Sequence, residues 1–311
     1  MLSRFFLFLY LFTFSSSFKS PFLRGIYKPV KLEIKKEINI PKRSIFRKIK
    51  GFYGQIGPNP KYPCENHYAL FDGDGMIHGI FFNKCKMTYT NHWVKTKKLL
   101  TETRWGKKMY ISLSELKGIR GLTSILTSEI MKSFKLIPAG YTANTAFMYH
   151  NNKLFALHET DTPYRINLNF DNNTIHTGKH YIFKNITTTT AHPKFDNLRK
   201  KIYLYSYSGQ QSKKGTFIHN VFNYDFNLLE HKHIDLINNG IIHDIGQTKN
   251  CLIIPDMPLK ADFNRMFENK LPIYFDKKGE TRFGILNKDS DKLKWYNFSE
   301  NFFIFHFSNC Y

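Results

Sequence analysis

Thirteen histidines lie along the 311-residue chain, and three of them stand in settings suited to metal chemistry. His192 lies in Thr190-Ala191-His192-Pro193-Lys194, His243 in Ile241-Ile242-His243-Asp244-Ile245, and His306 in Phe302-Phe303-Ile304-Phe305-His306. Each sits in or beside an apolar, strand-like run, where an imidazole either ends buried or points into a site. Imidazole is the commonest metal ligand among side chains. The separations, 51 residues from 192 to 243 and 63 from 243 to 306, exclude a local chelating motif such as HExxH, whose histidines share one helix face. Separate strands can bring such residues together on one axis at the centre of a barrel or propeller. Residue chemistry alone leaves two readings open: a metal site assembled from three distant segments, or three core histidines with ordinary hydrogen-bond partners.

Positioning these residues calls for strands. Hydrophobic residues make up 42% of the chain and aromatics 16%, with 30 Phe and 18 Tyr. That is enough for a sizeable core, and aromatic side chains pack well on pleated surfaces. From about residue 51, short strands alternate with turns. Lys153–Leu157 and Arg165–Leu168 flank a polar break with Pro163; Lys201–Tyr207 alternates aliphatic and aromatic residues; Cys251–Ile254 is closed by Pro255 and Asp256. Asp72-Gly73-Asp74-Gly75 reads as a tight structural turn whose glycines supply positive φ, in preference to a metal site. Asn151-Asn152 and Asn238-Asn239-Gly240 are further turn signals. The pattern predicts an all-β barrel, sandwich or propeller, and with no exact internal repeat it does not choose among them. One stretch departs from it. Leu113–Leu136 carries Leu116, Ile119, Leu122, Ile125, Leu126, Ile130 and Phe134 near helical spacing, together with Lys117, Arg120, Lys132 and Lys135. It predicts an amphipathic helical insertion over 113–136, either capping the β domain or lying on a membrane surface.

Several longer blocks resemble, in order and spacing, the motifs of the carotenoid cleavage oxygenases. Gly57-Pro58-Asn59-Pro60 and Phe71-Asp72-Gly73-Asp74-Gly75-Met76-Ile77-His78 resemble the family's opening. Ala143-Asn144-Thr145-Ala146 with Leu154-Phe155-Ala156-Leu157-His158-Glu159 resembles its next block. Ala191-His192-Pro193-Lys194 with Asp196 resembles the first metal-histidine motif. Ile242-His243-Asp244-Ile245 with Ile254-Pro255-Asp256-Met257-Pro258-Leu259 resembles the second. Arg282-Phe283-Gly284-Ile285-Leu286, Lys294-Trp295-Tyr296 and Phe303-Ile304-Phe305-His306 resemble the third. The wording is most similar to the plant-type branch of carotenoid and epoxycarotenoid cleavage dioxygenases and argues against a retinoid-type isomerase.

The resemblance implies a seven-bladed β-propeller whose axis holds Fe(II) on four neutral histidines. His192, His243 and His306 match three of these metal ligands. Glu159 matches a carboxylate that hydrogen-bonds a metal histidine and so fixes its tautomer, and Phe305 lines the substrate tunnel. No catalytic residue beyond the metal site is implied. The implied reaction is oxidative cleavage of a conjugated double bond in a carotenoid or apocarotenoid by O2, giving aldehydes or ketones. Two departures stand out. Gln55-Ile56 replaces the family's Arg-Asn pair, and the fourth histidine falls beyond Tyr311. Seven blades need roughly 280–315 residues at about 40–45 each, and residues 51–311 supply 261. The expectation is a C-terminally truncated propeller domain over 51–311. The alternative reading is a non-catalytic apocarotenoid-binding or interaction fragment.

The N-terminus reads as a targeting segment. Arg4 precedes the apolar run Phe5–Phe14, followed by Ser15, Ser16 and Ser17. Residues 1–17 thus have a signal-peptide layout, too short to span a membrane, and 18–50 form a basic, transit-like leader. Together they predict a plastid destination by the secretory route, with plain secretion as the alternative. The net charge is +22. Residues 1–50 hold 12 Lys/Arg against 2 acidic residues, and most of the remaining excess is scattered lysine. Nothing in that distribution forms a compact basic motif, so nucleic acid is not an expected partner. Cys64, Cys85, Cys251 and Cys310 form no CxxC pair and read as free thiols.

Overall fold

A computed structural model describes residues 20–63, 68–83, 85–208 and 214–311. The segment 1–17, read as a signal peptide, and Cys64 lie outside them. The chain builds four antiparallel sheets in sequence order. The first contains β1 (Lys35–Asn39), β2 (Lys50–Pro58), β3 (Gly75–Asn83) and β4 (Lys86–Trp93), in the order β1-β4-β3-β2. Its outer strand β1 comes from the basic stretch 18–50 and pairs with β4 from Lys35↔Thr90 to Asn39↔Lys86. The sheet therefore begins upstream of residue 51, where the strand pattern becomes legible in sequence.

The second sheet is a meander of β5 (Ala146–His150), β6 (Lys153–Leu157), β7 (Tyr164–Asn169) and β8 (Thr174–His180). The third holds β9 (Lys194–Asp196), β10 (Lys201–Tyr203), β11 (Ser206–Ser208), β12 (Thr216–Asn223) and β13 (Leu228–Asp235). Here the run Lys201–Tyr207 is two short strands, each paired with one end of β12. The fourth sheet has the order β14 (Gly246–Gln247), β15 (Cys251–Asp256), β18 (Arg282–Asn287) and β19 (Leu293–Asn297). A two-stranded ribbon, β16 (Leu259–Ala261) and β17 (Ile273–Phe275), interrupts it.

Four hairpins share one turn device, which replaces the missing sequence repeat. Asn169, Asp196, Asn223 and Asn287 each close a strand, and each side-chain Oδ1 accepts hydrogen bonds from backbone N–H groups two to four residues on. A residue at positive φ then returns the chain: Asn173, Lys200, Phe226 and Asp291. Short polar side chains that bond their own backbone and end in the left-handed region are the chemistry such turns demand. The β5–β6 hairpin instead uses Asn151-Asn152, both at positive φ, as a two-residue turn requires.

The core lies between successive sheets. Ile77, Phe81 and Val94 pack against Ala156, Tyr164, Ile166 and Ile175 of the second sheet. Met148, Phe155 and Leu157 meet Ala191 and half-buried Phe195 and Phe226 at the third. Tyr203, Phe217 and Val221 meet Ile245, Leu252, Ile254 and Leu286 of the fourth. Each inner sheet thus buries both faces against its neighbours in the chain.

Two helices, not one, lie between the first and second sheets. α1 (Lys97–Trp105) is capped by Thr96, whose Oγ1 accepts from the N–H of Leu99, and stops at Gly106 at φ +68. α2 (Gly118–Ser133) occupies the centre of the expected 113–136 insertion, after a short 3-10 turn at Leu113–Glu115. The Asp-Gly-Asp-Gly turn anchors both. Asp72 accepts from the N–H groups of Leu113 and Ser114. Asp74 and Glu102, both buried, share the ammonium of Lys98 at 2.7 and 2.8 Å. Removing that ammonium would leave two uncompensated buried carboxylates, a loss of about 3–5 kcal/mol. The turn's glycines do not serve through positive φ, which neither adopts. They permit close approach: a Cβ on Gly75 would lie 1.9 Å from the Ala143 carbonyl oxygen, and one on Gly73 2.7 Å from the Asn59 nitrogen.

Candidate metal centre

His192, His243 and His306 come together. None lies in a strand; all three sit on connections. His192 is two residues before β9, His243 three before β14, and His306 follows β19. β9 and β14 are the terminal strands of their sheets, so the loops feeding them meet at the same place. The ring centroids are 4.6 Å (His192–His243), 4.7 Å (His192–His306) and 4.9 Å (His243–His306) apart. One nitrogen from each ring lies within 4.8 Å of the others. The strand-like runs in or beside which the three were read are thus connections here: His192 and His243 stand at strand entries, and His306 in the segment after β19. A loop can turn its side chain off the pleat direction, and a short strand behind it holds the position.

Hydrogen bonds orient the central ring. His243 Nδ1 is 2.8 Å from Glu159 Oε2, and the Tyr207 hydroxyl donates to Glu159 Oε1. Burial by itself raises the Glu159 pKa, but the bonds from His243 and Tyr207 outweigh it and hold the group below its ordinary value. An ionised carboxylate only accepts, so His243 carries a proton on Nδ1 and turns Nε2 toward the other two histidines. That Nε2 is 3.0 Å from Nε2 of His192. Burial, with neighbouring His243 next, holds the His192 pKa down at about 4, so this ring is neutral at neutral pH. Burial and then Glu159 push the Tyr207 pKa well up, and the hydroxyl stays a donor. The Tyr205 hydroxyl donates to the His243 carbonyl at 3.1 Å.

His306 is the most open of the three, its side chain 55% exposed. Asp244 holds its segment. This buried carboxylate accepts from the N–H of Ile245 at 2.8 Å and of Phe307 at 3.2 Å, and pairs with Lys194 at 2.7 Å. It so ties the His192, His243 and His306 segments together. Phe305 stands edge-on to His243 at 5.6 Å and is half exposed, an apolar surface beside the histidines. Sequence reading placed the three histidines, Glu159 and Phe305 together but missed Tyr205, Tyr207 and the tie made by Asp244. The signal was present in the alternation Tyr203-Leu204-Tyr205-Ser206-Tyr207, which reads equally well as strand packing.

The donor set suits a first-row transition metal. Two imidazole nitrogens side by side in a metal's shell at about 2.1 Å sit about 3 Å apart, the separation seen between His192 and His243. A carboxylate on the far nitrogen is the usual support of a metal-bound imidazole. Among the described residues this is the one cluster of three or more His, Cys, Asp or Glu that converges enough to share an ion.

A family model described as RPE65, retinal pigment epithelial membrane protein, matches residues 27–311. The chain is 31% identical over 299 residues to carotenoid 9,10(9',10')-cleavage dioxygenase 1 of Arabidopsis thaliana, covering 93% of this chain and 55% of that protein. It is 28% identical over 274 residues to the chloroplastic 9-cis-epoxycarotenoid dioxygenase NCED6 of the same plant, covering 85% and 47%. It thus spans about half the length of these relatives. Among solved structures, lignostilbene dioxygenase of Pseudomonas brassicacearum superposes with a TM-score of 0.70 at 23% identity, covering 91% of this chain and 57% of that one, a likeness of fold.

Proposed function

Since the chain belongs to the family of RPE65 and the carotenoid cleavage oxygenases, we propose that it supplies metal ligands to an iron(II) oxygenase. The reaction is cleavage by O2 of a conjugated double bond in a carotenoid or apocarotenoid, giving aldehyde or ketone products. The observation that carries this reading is the meeting of His192, His243 and His306 from three distant segments, with Glu159 on the far side of His243. Bound there, iron(II) supplies the redox chemistry with O2 that amino-acid side chains lack.

The chain's own residues divide the remaining work. Glu159 keeps the His243 proton on Nδ1, and Tyr207 holds Glu159 in place. Burial keeps His192 neutral. Phe305 offers a polyene an apolar wall beside the histidines and displaces water from it. In this reading the four sheets are successive blades of a seven-bladed propeller, which the sheet-to-sheet cores support. The segment 1–50 directs the protein to a plastid, a destination supported by relatives named as chloroplastic. A leader removed before Lys35 leaves β1 intact. α2 docks the enzyme on lipid, where carotenoids reside; it exposes Ile119, Leu126, Ile130 and Phe134.

The test is incubation with a panel of carotenoids under 18O2 and mass spectrometry of the carbonyl products. Labelled aldehydes or ketones that vanish in His243→Ala are expected. Carotenoid binding without any cleavage in the iron-loaded protein contradicts the proposal and points to a binding role alone.

A further inference from the structure

A second pair of facing imidazoles lies on the third sheet, away from the core cluster. β13 carries His231, Lys232 and His233, and residues two apart on a strand share a face. Both histidines are exposed. Their Nε2 atoms are 3.1 Å apart, with ring centroids at 5.0 Å and planes inclined at 72°. The tautomer of His231 is set from beneath. Its Nδ1 is 2.7 Å from Oδ1 of Asn220, the residue opposite it across β12 and β13. Asn220 is fully buried, and its amide nitrogen donates to the Leu204 carbonyl at 2.9 Å. The amide is thereby oriented with Oδ1 toward the ring, so His231 carries a proton on Nδ1 and turns Nε2 toward His233.

We propose that His231 and His233 chelate a divalent transition-metal ion, independently of the centre formed by His192, His243 and His306. The Nε2 separation is that of two nitrogens adjacent in a metal's shell at about 2.1 Å. Buried Asn220 stands where a carboxylate or carbonyl commonly supports a metal-bound imidazole. Both rings are exposed, so water can complete the shell. Two imidazoles with water favour Cu2+ over Zn2+ and Ni2+, and do not suit Ca2+ or Mg2+. Asp235 continues the same face of the strand and adds a negative charge to it.

Equilibrium dialysis of the tag-free full chain against Zn2+, with bound metal counted by atomic emission, tests the proposal. Any Zn2+ at the core centre is common to all variants and cancels in the comparison. The wild type should hold one more equivalent than His231→Gln or His233→Gln, or bind that equivalent roughly tenfold or more tightly. The double substitution should lose no more than either single one, because a chelate needs both ligands. Equal stoichiometry and affinity in the wild type and the double variant overturn it. A measurement on the wild type alone guards against misfolded variants: Zn2+ should shift the imidazole nitrogen-15 resonances of His231 and His233 together. Resonances that stay in place at saturating Zn2+ also overturn it.

Discussion

The Nδ1 proton of His243 is the smallest feature on which the centre depends. It is held by one carboxylate oxygen of Glu159 while the Tyr207 hydroxyl holds the other. Glu159→Gln keeps the shape and removes the charge, so metal affinity should fall about 10–100-fold, the usual effect of changing a ligand's supporting partner. Tyr207→Phe should lower it less, since the bond to His243 remains. A chelator-competition titration reads both; wild-type affinity in Glu159→Gln would remove the carboxylate from the account. A different histidine reports on the core. His219 is buried, stacked on Tyr203 at 5.7 Å, and burial depresses its pKa. Above the unfolded-state value of about 6.5 both states hold a neutral ring. As the pH falls below it, the unfolded chain takes up a proton that the buried site refuses, and stability falls until the lower folded-state pKa is reached. The urea midpoint should therefore drop as the pH falls below about 6.5, and drop less in His219→Gln. Parallel pH profiles would contradict this assignment.

Among the elements, helix α2 shows where sequence periodicity stops being informative. Leu116, Ile119, Leu122, Ile125, Leu126, Ile130 and Phe134 read as one apolar stripe. In the fold it divides. Gly118, Gly121 and Ser128 are buried, and Leu122 and Ile125 are half-buried on the same side, with a Cβ on Gly121 meeting the Met266 side chain at 2.6 Å. Ile119, Leu126, Ile130 and Phe134 face outward. A stripe wide enough to serve a core and a surface at once cannot be partitioned without knowing the neighbour, here the turn Phe263–Glu268. The outward residues are those to change: Leu126→Asp with Ile130→Asp should reduce flotation with anionic liposomes while leaving the circular dichroism spectrum unaltered. Flotation equal to wild type removes the lipid-docking role. No helix among the described residues is long and apolar enough to cross a membrane. Helix α1 was not foreseen: its apolar content is too low for periodicity to reveal it, and its cap Thr96 and stop Gly106 are single-residue signals that also occur in turns. The recurring turn at Asn169, Asp196, Asn223 and Asn287 leaves no sequence repeat because only one side chain per turn is fixed by its chemistry.

For the whole molecule, the order of the motif blocks carried more than any local pattern. His192, His243 and His306 were placed in one site by that order, and the all-β class by strand spacing and aromatic content. Strand positions such as Lys153–Leu157 were legible because hydrophobic alternation and the Asn151-Asn152 turn agree. The strand β1 was not, since Lys35–Asn39 is an exposed edge in a basic stretch that composition assigns to a leader. Tyr207 was missed because hydrogen bonding across 48 residues leaves no periodic trace. The claim that organises the rest is that three distant loops hold one metal ion. Iron retained per chain after anaerobic Fe(II) loading and desalting addresses it most directly, in the wild type, in alanine variants of His192, His243 and His306, and in His176→Ala as an exposed control. The account predicts that the wild type and His176→Ala retain iron alike and that each of the three variants loses it; wild-type iron in His243→Ala would contradict it.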